Sequence, residues 1–225
     1  MNKYFDQFKI SSPSYSVAHI SGKSIEKKAS RYFTGKLLDI GCGSKSKQFL
    51  IGKYVQSYLG IDHPSCIHDR AKIDLFGDAV ALPVKGSVFD SILCTAVLEH
   101  LEHPSKAIVE ACRVLRNGGY AIYTAPLFWH LHEEPRDFFR YTRHGLMHLF
   151  ESSGFEVIEI ISLSGFWITF MTEFNYYLQR FKIIFVKFLI DLWVTISNLV
   201  LPFLDNGLLR DEKFTWLYLV VVRKP

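Results

Sequence analysis

Cysteine is scarce and scattered: Cys42, Cys66, Cys94 and Cys112 are the four in 225 residues. None of them forms a CxxC pair, so the chain has neither the disulfide framework of a small secreted domain nor a zinc ribbon. With no secretory signal ahead of them, reduced thiols in a cytosolic protein are expected. His63, Cys66 and His68 are ligand types in close sequence, but a fourth ligand at suitable spacing is lacking, so a polar loop and no metal are expected there. Charge of one sign is also modest, with 26 Lys and Arg against 22 Asp and Glu for a net +4. The basic residues are dispersed, which gives no case for a nucleic-acid partner. A clean apolar run of about 20 residues is lacking too. Phe188 to Leu204 is the most apolar stretch, and Asp191 and Asn198 interrupt it.

Hydrophobic residues make up 49% of the chain and charged residues 21%, which suits one domain with a substantial core. The organising segment is Lys36-Leu37-Leu38-Asp39-Ile40-Gly41-Cys42-Gly43, a short apolar strand running into a glycine turn. Such a strand is buried on both faces, as in a parallel sheet, and Gly41 and Gly43 let the backbone turn and approach a ligand. Tyr58-Leu59-Gly60-Ile61-Asp62 follows as a second strand ending in an acid. Phe89 to Cys94 is a third, Tyr120 to Thr124 a fourth and Phe155 to Ile161 a fifth. Helical spacing covers Ser24–Phe33, Lys47–Tyr54, Val97–Val114 (interrupted at Pro104, stopped at Asn117-Gly118-Gly119) and His144–Ser153. This alternation predicts a Rossmann-like, doubly wound α/β fold with a mostly parallel sheet. The aromatic, apolar stretch 165–206 breaks the rhythm before a last strand at Phe214–Val222. It is expected as a helical insertion into a single domain whose core spans about 30–164 plus 214–222. A cap over the active site, a helix lying in a membrane interface and a dimer surface all fit that insertion, the cap most simply.

An acid at the end of the second strand, 21 positions beyond Gly41, can accept hydrogen bonds from both hydroxyls of a ribose while the glycine turn lies near the rest of the ligand. The motifs in order resemble those of class I S-adenosylmethionine-dependent methyltransferases. Leu37–Gly43 is similar to the first, Tyr58–Asp62 to the ribose-binding second, and Gly77-Asp78-Ala79 with Leu82-Pro83 to the adenine loop. Phe89–Cys94 with Val97-Leu98-Glu99-His100-Leu101 resembles the fourth-strand region, and Leu115–Gly119 the turn before the fifth strand. The closest subgroup is the ubiquinone-biosynthesis-like type acting on small molecules. The resemblance implies S-adenosylmethionine as cofactor, framed at its methionine end by Asp39, Gly41 and Gly43. Asp62 would bind the ribose and Asp78 the adenine amino group, with Ala79 beside it. Cys94 and Thr95 would line the place where the methyl faces its acceptor. One departure stands out: Lys45 occupies the position where many relatives carry a third glycine. A dehydrogenase of Rossmann type shares the logic but calls for a fuller GxGxxG than Lys45 and Ser46 allow.

Methyl transfer from a sulfonium needs alignment and, for an oxygen or nitrogen acceptor, a base. The loop after the Tyr120–Thr124 strand, Pro126 to Tyr141, is dense in His, acid, Arg and aromatic residues and lies where open α/β sheets bind ligands. His130 or His132 is the expected base, with Arg136 or Arg140 orienting a polar acceptor. The competing reading is that Glu133, Asp137 and Arg140 only hold the loop through ion pairs. A metal bound by His130, His132 and Glu133 is disfavoured. The expected activity is O-methylation of a sugar, quinone-like or lipid-linked acceptor by a cytoplasmic protein, with peripheral membrane contact through 165–206. The alternative is a cofactor- or partner-binding protein without turnover.

Overall fold

The computed structural model describes residues 3–66, 69–181 and 184–225, so the Ile67-His68 part of the polar loop lies outside the described residues. Helix α1 (Ser14–Tyr32) precedes β1 (Lys36–Ile40), α2 (Gln48–Ile51), β2 (Ser57–Asp62) and β3 (Leu75–Phe76). Then come β4 (Phe89–Thr95), α3 (Pro104–Val114), β5 (Leu115–Pro126), α4 (Arg143–Ser152) and β6 (Glu156–Ser162). Helices α5 (Phe166–Leu178) and α6 (Ile184–Leu204) separate β6 from β7 (Leu217–Arg223). The strands form one seven-stranded sheet in the order β3-β2-β1-β4-β5-β7-β6. Only β7 runs against its neighbours, β5 and β6. The fold is thus the doubly wound, mostly parallel sheet expected, with an apolar helical pair before the last strand.

Successive side chains on a strand point to opposite faces, and here both faces are buried. Leu38, Ile92, Ala121 and Val220 enter the core on one side, whereas Leu37, Leu93, Ile122 and Leu219 enter the core on the other. Sequential strands in the 1-4 order leave a crevice at the carboxyl ends of β1 and β4, where the chain departs in opposite directions.

Three element boundaries differ from the sequence expectation. The segment Val97 to Val114 is not one helix: Leu98–His100 makes a single 3-10 turn, and α3 starts only at Pro104. Proline disfavours helical backbone in the residue before it, and here His103 is non-helical. Strand β5 begins at Leu115, so Gly118 and Gly119 lie within it rather than after a helix. Helix α1 begins at Ser14, ten residues ahead of the expected start at Ser24.

Helices α5 and α6 pack on each other and α5 on α1, with polar groups inside. Asn175 Nδ2 donates to Ser197 Oγ at 2.9 Å, and Ser16 Oγ donates to Asn198 Oδ1 at 2.6 Å. Asn198 Nδ2 also donates to the carbonyls of Ile10 and Ser12. Outward, the pair presents Phe170, Phe174, Tyr177, Phe188, Trp193 and Phe203, all exposed.

Candidate active site

The glycine turn is shaped by its backbone. Gly41 has φ +71°, and a Cβ there would lie 2.2 Å from Val97 Cγ2. Any side chain would therefore meet both strain and a clash. Gly43 (φ 51°) and Lys45 (φ 57°) are also left-handed. Lys45 thus makes the turn that a third glycine would make, and its side chain leaves the site to pair with Asp74 at 2.5 Å. Asp62 holds the turn in place: Oδ2 accepts from Gly43 N and Oδ1 from His63 N, each at 2.7 Å. A carboxylate has about four lone-pair directions, so two backbone bonds leave acceptor capacity toward the crevice.

Two adjoining cavities open there. The first, of about 240 Å³, is lined by Gly41, Asp62, Asp78, Ala79 and Val97 with Arg136 at its rim. Apolar walls with one fixed carboxylate suit a nucleoside. Asp78, exposed, accepts from Val80 N at 3.0 Å and retains its second oxygen. The second cavity, of about 350 Å³, is lined by Asp39, Lys47, Thr95, Glu99, Trp129 and His132, among others. Gly41, Ala96, His100 and Glu133 border both.

Asp39 is 1% exposed and accepts a hydrogen bond from the Tyr58 hydroxyl. Burial pushes its carboxyl up to about 7, although Tyr58 and the cation of Lys47 pull it down in part. Burial in turn lowers Lys47, and Asp39 counteracts that shift. A buried carboxyl beside a half-paired cation offers complementary partners to the ammonium and carboxylate of an amino acid. Glu99, also 1% exposed, is raised to about 8 by burial, with Arg140 opposing and Asp137 and Glu133 reinforcing the rise.

The proposed catalytic residues separate. His132 lines the second cavity. Burial, and then the neighbouring His100, lowers its pKa, so it faces the cavity neutral. His130 lines neither cavity; it is exposed and its Nδ1 meets Glu173 Oε2 of α5 at 2.9 Å. Arg140 is not free to orient an acceptor. Its Nε donates to Trp129 O, Nη1 to Asp137 Oδ1 and Phe139 O, and Nη2 to Asp137 Oδ2 and His130 O. All five guanidinium donors are thereby used to tie the loop. Cys94 is 2% exposed in the core and lines neither cavity, because β4 turns its next residue, Thr95, to the site. Glu99, His100 and Lys47, to which the sequence reading assigned no role, line the second cavity instead. Among the described residues, none of α5 or α6 lines either cavity; the insertion meets the loop beside the site, where Glu173 reaches His130 and Tyr176 packs on Trp129 and His130.

Residues 38–123 match a family model described as a methyltransferase domain. That match takes in the glycine turn, Asp62, Asp78 and β4, and covers less than half of the 225 residues. Two solved structures show the same fold. One is the complex described as that between the Haloferax volcanii Trm112 methyltransferase activator and "the putative methyltransferase", with TM-score 0.61 and 17% identity over 100% of this chain and 97% of that one. The other is phosphoethanolamine N-methyltransferase 2 of Haemonchus contortus bound to S-adenosyl-L-methionine, with TM-score 0.58 and 15% identity over 91% of this chain and 52% of that one. A curated relative, the tRNA (carboxymethyluridine(34)-5-O)-methyltransferase of Arabidopsis thaliana, is 34% identical across 39% of this chain and 23% of its own length. The chain spans 23% and 38% of the curated relatives it matches.

The residues of this crevice fit S-adenosylmethionine, which supplies an electrophilic methyl on a sulfonium. Asp62 and the Asp78 loop would hold the adenosine, and Asp39 with Lys47 the amino-acid end. The shared border at Gly41 and Ala96 joins those two regions, so one molecule can reach from the first cavity into the second.

Proposed function

We propose that this domain methylates an oxygen of a small, hydrophobic acceptor, of sugar, quinone-like or lipid-linked type, delivered from a membrane surface. The carrying observation is the second cavity itself: it adjoins the nucleoside cavity and gathers Glu99, His100 and His132 beside the aromatic wall of Trp129. Attack on the methyl is an in-line displacement, so holding the acceptor against it in a partly dry pocket supplies much of the acceleration. Glu99, His100 and His132 line this cavity and supply the polar groups that assist loss of the acceptor's proton. Arg136, with one donor 3.4 Å from Ser65 Oγ, stands at the rim where a polar group of the acceptor would pass.

Membrane delivery is supported by the inverted polarity of α5 and α6. Their buried face mixes Thr169, Thr172, Asn175, Ser197 and Asn198 with Ile168, Ile190, Val194 and Leu201, while their exposed face is aromatic and aliphatic. Val186–Leu204 is long and apolar enough to cross a bilayer, and only 28% of that stretch is buried. Monomeric soluble proteins rarely expose a contiguous patch of this kind. Lying in the interface with Lys187 and Arg180 toward anionic headgroups suits it better than crossing, because α6 itself is tied to α1 through Asn198 and to α5 through Ser197.

The test pairs radiolabelled methyl transfer into a lipid extract with flotation on phosphatidylglycerol-containing vesicles. Label in an extractable lipid and co-flotation, lost in a Phe188→Ser/Trp193→Ser/Phe203→Ser variant, are expected. A wholly unbound protein that labels only water-soluble acceptors would remove the membrane part. A tRNA acceptor is a second reading, favoured by the relative's name. The same assay with bulk tRNA distinguishes it, and the apolar rather than basic exposed face disfavours it.

A further inference from the structure

We propose that Glu99, His100 and His132 bind a divalent first-row transition-metal ion in the second cavity. This rests on the methyl-transfer reading only for what the ion does, not for its binding. Each residue offers one ligand atom, and these atoms all lie within 4.8 Å of one another. They come from two segments that the fold brings together, the 3-10 turn after β4 and the loop after β5.

The surroundings point to a missing ligand. Glu99 is 1% exposed, and its Oε2 has no hydrogen-bond partner. A buried carboxylate oxygen left unpartnered in a pocket is costly unless something meets it. His100 is already oriented: its Nδ1 meets the carbonyl of Arg136 at 2.6 Å. A carbonyl can only accept, so Nδ1 carries the proton and Nε2 presents its lone pair, the arrangement that fixes a metal-binding imidazole. Asp137 Oδ2 lies 3.4 Å from His132 Nδ1 and is held by Arg140, a carboxylate placed behind the second ring. The two rings meet edge to face, 4.7 Å between centroids.

Two imidazoles and one carboxylate are the donor set of zinc, iron(II), manganese(II) or cobalt(II) rather than of magnesium, and leave positions open to the cavity. Ligand atoms around a tetrahedral ion with bonds of about 2.0–2.1 Å sit about 3.3 Å apart, so small side-chain rotations on the two segments close the set. The open position takes the acceptor oxygen. Coordination weakens its O–H bond, and the proton passes to water. The oxygen lone pair then forms the O–C bond while the C–S bond breaks and its electron pair stays on sulfur. The ion is neither oxidised nor reduced.

The untagged chain, stripped with a chelator, is dialysed against zinc or manganese alone and its metal content measured. About one ion per chain is expected, with binding at least tenfold weaker in Glu99→Gln and in His132→Ala and unchanged in His130→Ala. Cobalt(II) loaded into the wild type should give the intense visible absorption of a low-coordinate nitrogen–oxygen site; an aqueous-type spectrum overturns the proposal whatever the variants do. No stoichiometric ion, or an ion kept by both variants, also overturns it. S-adenosylhomocysteine binding, measured on the same preparations, separates the two readings. Cofactor without metal removes the ion site alone, whereas metal without cofactor removes the methyltransferase reading and leaves the ion site standing.

Discussion

An Asp39 carboxyl that meets the cofactor's ammonium would couple its own protonation to cofactor binding, and the coupling can be sized. The Asp39 carboxyl is raised from 3.8 to about 7, chiefly by burial. Because the folded value lies above the unfolded one, the folded protein keeps a proton that the unfolded chain sheds. The contribution of Asp39 to stability is therefore fully present below about pH 4, falls as pH rises from about 4 to about 7, and is level above that. A shift of about 3 units corresponds to about 4 kcal/mol across the window. The ammonium of a bound cofactor replaces the lost hydration and returns the carboxyl toward its ordinary value. At pH 6 the unliganded carboxyl is roughly nine-tenths protonated, so binding should release most of one proton. Calorimetric titration with S-adenosylhomocysteine at pH 6, repeated in buffers of different ionisation enthalpy, gives that number as a slope. The slope should fall to near zero at pH 8 and at pH 6 in Asp39→Asn. A wild-type slope of zero at pH 6 would show that Asp39 does not meet the ammonium, and the amino-acid end would have to be placed elsewhere.

Three further outcomes follow from the same geometry. Gly41→Ala combines a left-handed φ with a Cβ 2.2 Å from Val97 Cγ2, so it should lower stability by about 2 kcal/mol or more and weaken S-adenosylhomocysteine at least tenfold, measured by thermal melting and calorimetry. Lys45→Gly should change cofactor affinity no more than about threefold, because Lys45 already adopts φ 57° and its pair with Asp74 is partly exposed. Arg140→Ala leaves Asp137, whose side chain is 1% exposed, without its bidentate partner. Arg140 holds that carboxyl far below its usual range. Loss of about 3 kcal/mol and faster proteolysis between Phe128 and Tyr141 are expected, and both are read by urea unfolding and limited digestion.

Much of the sheet was legible because buried parallel strands are mostly apolar runs, as Ile92–Cys94 is and as Leu37–Ile40 is apart from Asp39. The turn after β1 was legible because Gly41 has a steric reason to be glycine. What stayed hidden depended on tertiary context. A period of two does not say which of Cys94 and Thr95 faces the cavity, and the core took Cys94. Glu99 sits in Val97-Leu98-Glu99-His100-Leu101, which reads as a helix with an exposed acid. Pro104 keeps that segment non-helical, and the resulting 3-10 turn puts the carboxyl inside instead. Arg140 looked like a substrate clamp by residue type, yet the loop carbonyls of Trp129, His130 and Phe139 and the Asp137 carboxylate use every donor it has. The polarity of α5 and α6 was visible as apolar composition, but not that Asn175 and Asn198 would face inward.

The most direct test of the cofactor site is calorimetric titration of the full chain with S-adenosylhomocysteine beside Asp62→Ala. Asp62 fixes the turn through Gly43 and His63 and would carry the ribose, so wild type should bind and the variant should lose about a hundredfold or more. Wild type that does not bind, or a variant that binds as well as wild type, would contradict the assignment of the crevice to S-adenosylmethionine.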